Sequence, residues 1–148
     1  MHSQACRTDP ALFAALPGGR DVIDWFGRVP FFHDATLDRL DISVDAILIA
    51  LKGFRMTDRV APDGRFVLDR QARVSFRMTG VTGLRLGGCA AAIVAELSIR
   101  RLAADLPDWE TCAGPRAGDY EIAFAASYGL EGSIWCRELR LDLKPLSH

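Results

Sequence analysis

Apolar and polar positions alternate with a period of two over most of this chain, and helical spacing is confined to its beginning. Pro10 can open a helical turn carrying Leu12, Phe13 and Leu16, which Pro17-Gly18-Gly19 ends. A second short helix follows: Asp21 caps it, Val22, Ile23, Trp25 and Phe26 recur at helical spacing, and Gly27 supplies a left-handed C-terminal residue. Pro30 then forces Val29 out of helical space, and Phe31-Phe32-His33-Asp34 precedes a strand-like run through Leu37, Leu40 and Ile42. The stretch from Arg20 to Ser43 thus reads as helix, hard turn, strand. Trp25, Phe26, Phe31 and Phe32 would nucleate a core if they meet, since each large aromatic hides about 150–250 Å2.

Beyond Leu37 the pattern is β. Leu40, Ile42, Val44, Ala46 and Leu48 alternate with Asp41, Ser43 and Asp45, while Ile47, Ile49 and Leu51 make the second half apolar on both faces, as in a strand that is covered twice or bends. Pro62-Asp63-Gly64 is a turn, because proline fixes its own φ and glycine accepts a positive one. Ala72, Val74, Phe76 and Met78 alternate with Arg73, Ser75, Arg77 and Thr79, the pattern of a half-buried strand. Gly80, Gly83, Gly87 and Gly88 bracket a short strand around Leu84-Arg85-Leu86. From Cys89 to Leu106 an alanine-rich helix propensity competes with the alternation of Ala95, Leu97 and Ile99 against Glu96, Ser98 and Arg100; the glycine-rich turns upstream favour a strand over Val94 to Leu102. Tyr120, Ile122, Phe124 and Ala126 form a further strand, and Tyr128-Gly129-Leu130-Glu131-Gly132 is read as the turn of a hairpin whose second strand holds Trp135, Leu139, Leu141 and Leu143. The predicted fold class is α+β, β-rich and mostly antiparallel, with one or two short N-terminal helices. Residues 1–148 are read as a single domain, with 1–19 a peripheral lead-in and 20–144 the core.

Composition narrows the classes. A chain of 148 residues with 49% hydrophobic content is long enough to bury about two thirds of its unfolded surface without staples. Eighteen basic and nineteen acidic side chains leave a net charge of −1, which lacks the basic footprint of a nucleic-acid binder. No stretch approaches the ~18–20 apolar residues of a membrane span, and MHSQACRTDP lacks the features of a secretory signal. Cys6, Cys89, Cys112 and Cys136 form no CxxC pair and are read as buried free thiols in a reducing cytoplasm.

Candidate chemistry is sparse. His33-Asp34 is the one dyad that invites a catalytic or small-ligand reading, since a carboxylate can orient an imidazole. A metal site would need further ligands, yet the other histidines, His2 and His148, lie at the chain ends; no metal or other cofactor is expected. A serine or cysteine hydrolase would have to use His33 as its base, and no G-x-S-x-G elbow accompanies it. The glycine pairs carry no following Lys-Ser or Lys-Thr and are read as turns. Arg73, Arg77, Arg85, Arg100 and Arg101 form either a basic strip or a solvated face balanced by Glu96, Glu121 and Asp142, and the near-zero net charge favours the second. Trp109, in a polar loop, is a candidate exposed anchor at a protein interface, with Arg73 and Arg77 as further interface candidates. Unpaired strand edges also offer a route to a homodimer.

Laid in a row, Trp25-Phe26-Gly27, Pro30 and Phe32-His33-Asp34-Ala35 resemble the W-F-G-x-x-P-x-F-H-D-A pattern of the immunity protein 50 family. VSFRMTGVTGLRLGG is similar to that family's strand–turn–strand middle and DYEIAFAASYGLEGSIWCRELRLDL to its C-terminal hairpin, so the likeness runs in order from Asp21 to Leu143. The sequence departs from the pattern at Val29, where a second aromatic is usual, and at Cys89-Ala90-Ala91-Ala92, where a polar segment is usual. The resemblance implies a small bacterial cytoplasmic protein that binds and neutralises a toxin domain and has no catalysis of its own. It also makes Trp25, Phe26, Pro30, Phe32, His33 and Asp34 motif residues with a binding or scaffold role.

Overall fold

The computed structural model describes residues 8–30, 32–60, 62–64, 66–107, 109 and 112–146. The fold is β-rich α+β: helices α1 (Pro10–Ala15) and α2 (Gly19–Phe26) precede strands β1 (Thr36–Ile42), β2 (Ala46–Val60), β3 (Phe66–Arg101) and β4 (Tyr120–Leu146). All the strand pairings are antiparallel, in the order β1-β2-β3-β4. His2, Cys6, Phe31 and His148 lie outside the described residues.

Both helices start and stop where local chemistry dictates. The Asp9 side chain accepts from the Ala11 N–H (3.0 Å), with Pro10 at the first helical position. Helix α2 begins three residues earlier than a cap at Asp21 would set it: left-handed Gly18 is its N-cap, and Asp21 sits in the first turn, favourable to the helix dipole. Gly27 closes it at φ 84°, its N–H bonded to Ile23 O. The lead-in is not peripheral, because Phe13 and Leu16 are buried in the main core. Pro17 O accepts from the Leu141 N–H and Thr8 Oγ1 from the Ile99 N–H (both 2.8 Å), so this segment satisfies backbone donors of β4 and β3.

Two turns differ from expectation. The apolar run from Leu37 to Leu51 is cut by a hairpin at Ser43–Ala46, where the Ser43 N–H and hydroxyl both donate to Ala46 O (2.9 Å each). Val44 at its tip is fully exposed, and no glycine or asparagine marks the turn. Conversely, the glycine clusters expected to end strands only bend them. β3 runs for 36 residues through Gly80, Gly83, Gly87 and Gly88, and β4 for 27 through Gly129 and Gly132. Tyr120–Leu146 is therefore not a hairpin; its whole length pairs with β3, from Gln71↔Leu146 to Arg101↔Tyr120. The strand expected near Val94–Leu102 is the far end of β3.

The β3–β4 ribbon bends where its register slips, between Gly87 and Ala92 and again on either side of Val94. Gly129 makes the bend passable. It has φ 95°, and a Cβ there would lie 1.6 Å from Ala91 O. Past the bend, Val94 and Ala35 are joined by the Val94 N–H, Asp34 donates to Val94 O, and Thr36 pairs with Ile93, so β1 touches both β2 and the far half of β3. The sheet thus curls around a core of Phe13, Val22, Ile49, Phe76, Ile99 and Ile122, among others, all at most 1% exposed.

The opposite faces of the bent ribbon hold a second layer. Trp135 donates its indole N–H to Glu121 Oε1 (3.1 Å), while Arg100 Nε, across the strand pair, donates to Glu121 Oε2. Glu121 is 9% exposed, and these charge-assisted bonds offset its burial; its carboxylate in turn raises the Arg100 guanidinium further above its ordinary value. The connection after β3 is pinned above this layer: Leu102 donates to Asp119 O, Leu106 to Pro115 O, and Asp119 Oδ2 accepts from Thr82 and the Arg116 N–H. Of the described cysteines, Cys136 is buried, whereas Cys89 and Cys112 are exposed, because bulge and loop positions have no core face to offer them.

Burial, with the Asp119 charge nearby, pushes the Cys136 thiol up to about 12. The unfolded thiol ionises near pH 8.5, so the unfolded state holds fewer protons above that pH and stability falls as pH rises from there towards about 12. Denaturant melts between pH 8 and 11 are expected to show wild type losing its advantage over Cys136→Ala as pH rises. A constant difference would mean that the thiol does not titrate this way. Glu121→Ala removes the acceptor of the Trp135 and Arg100 donors and is expected to cost about 1.5–3 kcal/mol at neutral pH, read as the shift in denaturant midpoint.

Candidate functional site

The motif residues fold as one continuous piece. Trp25 meets Phe26 edge to face at 4.7 Å between ring centroids, Phe26 meets Phe32 at 5.9 Å, and Phe32 meets Phe76 on β3 at 5.5 Å. This aromatic series runs from half-buried Trp25 to Phe76, which is fully buried. Pro30 is buried beside it. Edge-to-face pairs add roughly 0.5–1.5 kcal/mol each beyond their area, so the series fixes helix α2 against the sheet.

What it positions is the turn before β1. Phe32 and Asp34 both lie in the left-handed region, at φ 63° and 65°. For a bulky residue such as Phe32 that conformation costs of order 1–3 kcal/mol and persists only where the surroundings enforce it. Three bonds do so: Ala35 N–H to Phe32 O (3.0 Å), Asp34 N–H to Val94 O and Val94 N–H to Ala35 O (2.8 Å each). Phe32 is thereby driven into the core and His33 and Asp34 outwards, with side chains 57% and 51% exposed.

The imidazole is oriented but not buried. His33 Nδ1 lies 3.0 Å from Ala95 O, and since a carbonyl can only accept, Nδ1 carries the proton of that bond. Nε2 lies 3.5 Å from Asp34 Oδ2. Both ring nitrogens face acceptors of the protein itself. The dyad does not line the concavities bordered by Arg85 and Ser133, by Arg77 and Arg140, by Thr82 and Arg116, or by Asp21 and Asp142. Among the described residues no three His, Cys, Asp or Glu side chains are placed to hold a metal together.

Beside this turn stand two exposed apolar side chains that the sequence did not single out. Ile93 and Tyr128, 40% and 62% exposed, face each other across β3 and β4. The backbone bonds to Val94 and the ring bond to Ala95 place His33 and Asp34 next to Ile93. The result is a mixed rim of imidazole, carboxylate, phenol and aliphatic groups.

The other candidates lie elsewhere. Trp109 packs edge to face on Trp135 (5.6 Å), with the Arg85 guanidinium 4.4 Å from its ring centroid and Gly83 and Gly114 against it; its indole nitrogen is buried without a hydrogen-bond partner. Its ring is spent inside the molecule rather than standing free as an anchor. Arg73 donates to Asp38 (2.6 Å), Arg100 is held by Glu121 and Arg85 by Trp109, so these arginines form no common strip. Arg77 and Arg101 instead border one concavity together with Arg137 and Arg140.

The left-handed turn gives a direct test. Asn tolerates this backbone region and Gly adopts it without strain, so Asp34→Asn and Asp34→Gly are expected to shift the midpoint of thermal unfolding little or upwards. Phe32→Ala, which empties a core site, is expected to cost about 3–5 kcal/mol. A strongly destabilising Asp34→Gly would mean that the carboxylate, not the backbone, holds the turn. Comparison with known proteins returned no matching family profile, no matching curated protein and no matching solved structure.

Proposed function

We propose that this chain is a non-enzymatic immunity-type protein that acts in the bacterial cytoplasm by binding and neutralising a toxin domain. The partner docks on the rim of His33, Asp34, Ile93 and Tyr128. The observation that carries this reading is the strained turn. The backbone holds two non-glycine residues at positive φ, and the product of that strain is an imidazole and a carboxylate presented beside exposed Ile93 and Tyr128. Aromatic and apolar side chains ringed by polar groups are the composition of a binding hot spot. The motif resemblance supports His33 and Asp34 of this set from the sequence side.

A hydrolase or small-ligand protein built on His33 and Asp34 is the alternative, favoured by the ordered imidazole. It is the weaker reading, because a general base needs a nitrogen directed at substrate and both nitrogens here face Ala95 O and Asp34.

The test is co-purification of the tagged protein with the toxin domain encoded beside it, followed by affinity measurements on variants. Tyr128→Ala and His33→Ala, both at exposed positions, are expected to weaken the complex by tenfold or more, about 1.4 kcal/mol, without lowering the melting temperature. Unchanged affinity in the Tyr128→Ala/His33→Ala double variant would remove the rim from the interface. A genomic neighbourhood with no toxin domain would remove the immunity assignment.

A further inference from the structure

We propose that a concavity bordered by Arg77, Arg101, Arg137 and Arg140 binds a small soluble polyanion of the pyrophosphate type, independently of any protein partner. The concavity has a volume of about 430 Å3 and is lined in addition by Tyr120, Thr79 and Glu138. That is within the range of small-molecule sites. Four arginines and one carboxylate thus line it in a protein whose net charge is −1.

The arrangement is costly without a ligand. Arg77 and Arg140 are direct partners across the β3–β4 pairing, and like charges so placed repel. Glu138 stands opposite Thr79, and Asp142 opposite Ser75, so no carboxylate lies directly across from either arginine. Among the described residues, Arg77, Arg137 and Arg140 make no ion pair, whereas Arg39, Arg73 and Arg100 each do. Arg39, Arg73 and Arg100 are thus each paired off, while Arg77, Arg137 and Arg140 stand without an ion pair around one hollow.

Arg101 is pre-set for a ligand. Its Nε donates to Gly118 O (3.0 Å) and its guanidinium stacks over the Tyr120 ring at 4.9 Å, which fixes the plane and turns the terminal nitrogens to the only bonds left to them. A planar fork fixed in this way matches two phosphate oxygens at once, and a second phosphate group gives the facing arginines their counter-charge. Orthophosphate or sulfate offers fewer oxygens and less charge to the same set and binds more weakly.

Isothermal titration calorimetry of the full chain with sodium pyrophosphate, orthophosphate and sulfate at physiological ionic strength tests the assignment. Pyrophosphate is expected to bind tightest and to raise the melting temperature. Arg140→Gln is expected to weaken it by tenfold or more while leaving the ligand-free melting temperature unchanged or higher, since the repelling pair is gone. Arg77→Gln/Arg140→Gln should abolish binding, and Arg39→Gln, outside the concavity, should not alter it. No pyrophosphate binding to the folded wild type, or equal binding by the double variant, overturns the proposal. So does binding only to vesicles containing phosphatidic acid or only to a single-stranded oligonucleotide, which would place the charge in the service of a surface or a polymer.

Discussion

The β3–β4 ribbon has to bend, and the near-contact of the Gly129 backbone with Ala91 O is what lets it do so. At about 3.3 Å per residue a straight strand of 36 residues would run roughly 120 Å, several times the breadth of a chain this size once folded. Doubling back is the only way for Phe76 and Met78 near one end and Leu97 and Ile99 near the other to share a core. Register slips around Gly87–Ala92 and Val94 supply the turning, and they also reset which side chains face inwards, so that Val94 and Leu97 are both buried. A side chain at Gly129 would have nowhere to go.

One bend has two structural consequences. Its concave side, closed by β1 and β2 and plugged by Phe13, Leu16 and Val22 of the N-terminal segment, is the main core. Its other side brings Trp135 of one arm against Glu121 of the other, over which Trp109 and the connection between β3 and β4 are laid. The same curl carries the far half of β3 to the start of β1, and the Val94 bonds made there hold the left-handed turn that presents His33 and Asp34. The exposed dyad, the apolar pair beside it and the buried tryptophans therefore all depend on the path of one ribbon.

Charge is distributed by the same register. Cross-strand pairing sets Arg100 opposite Glu121 and Arg77 opposite Arg140. The first pair becomes a satisfied, largely sequestered carboxylate. The second becomes an unsatisfied pole of positive charge at the side of the sheet, where the strand end at Arg101 and the outward Arg137 add to it. A net charge of −1 conceals this separation, because summing over the chain discards position.

Local chemistry in the sequence determined the capped helices, the exit through Pro30, the Pro62-Asp63-Gly64 turn and the alternation that makes β3 half-buried, since each depends on residues within a few positions of one another. The aromatic motif was legible for the same reason. Tertiary structure decided what local pattern could not: that glycines at 87, 88, 129 and 132 bend strands rather than end them, that Val44 tops a hairpin, and that Phe13 is core. It also decided the surfaces. Ile93 meets Tyr128, and Arg77 meets Arg140, across dozens of residues of chain. A shift of one residue in register would send each to the opposite face, so only the completed pairing of β3 with β4, fixed by the bulges at its bend, could assemble them.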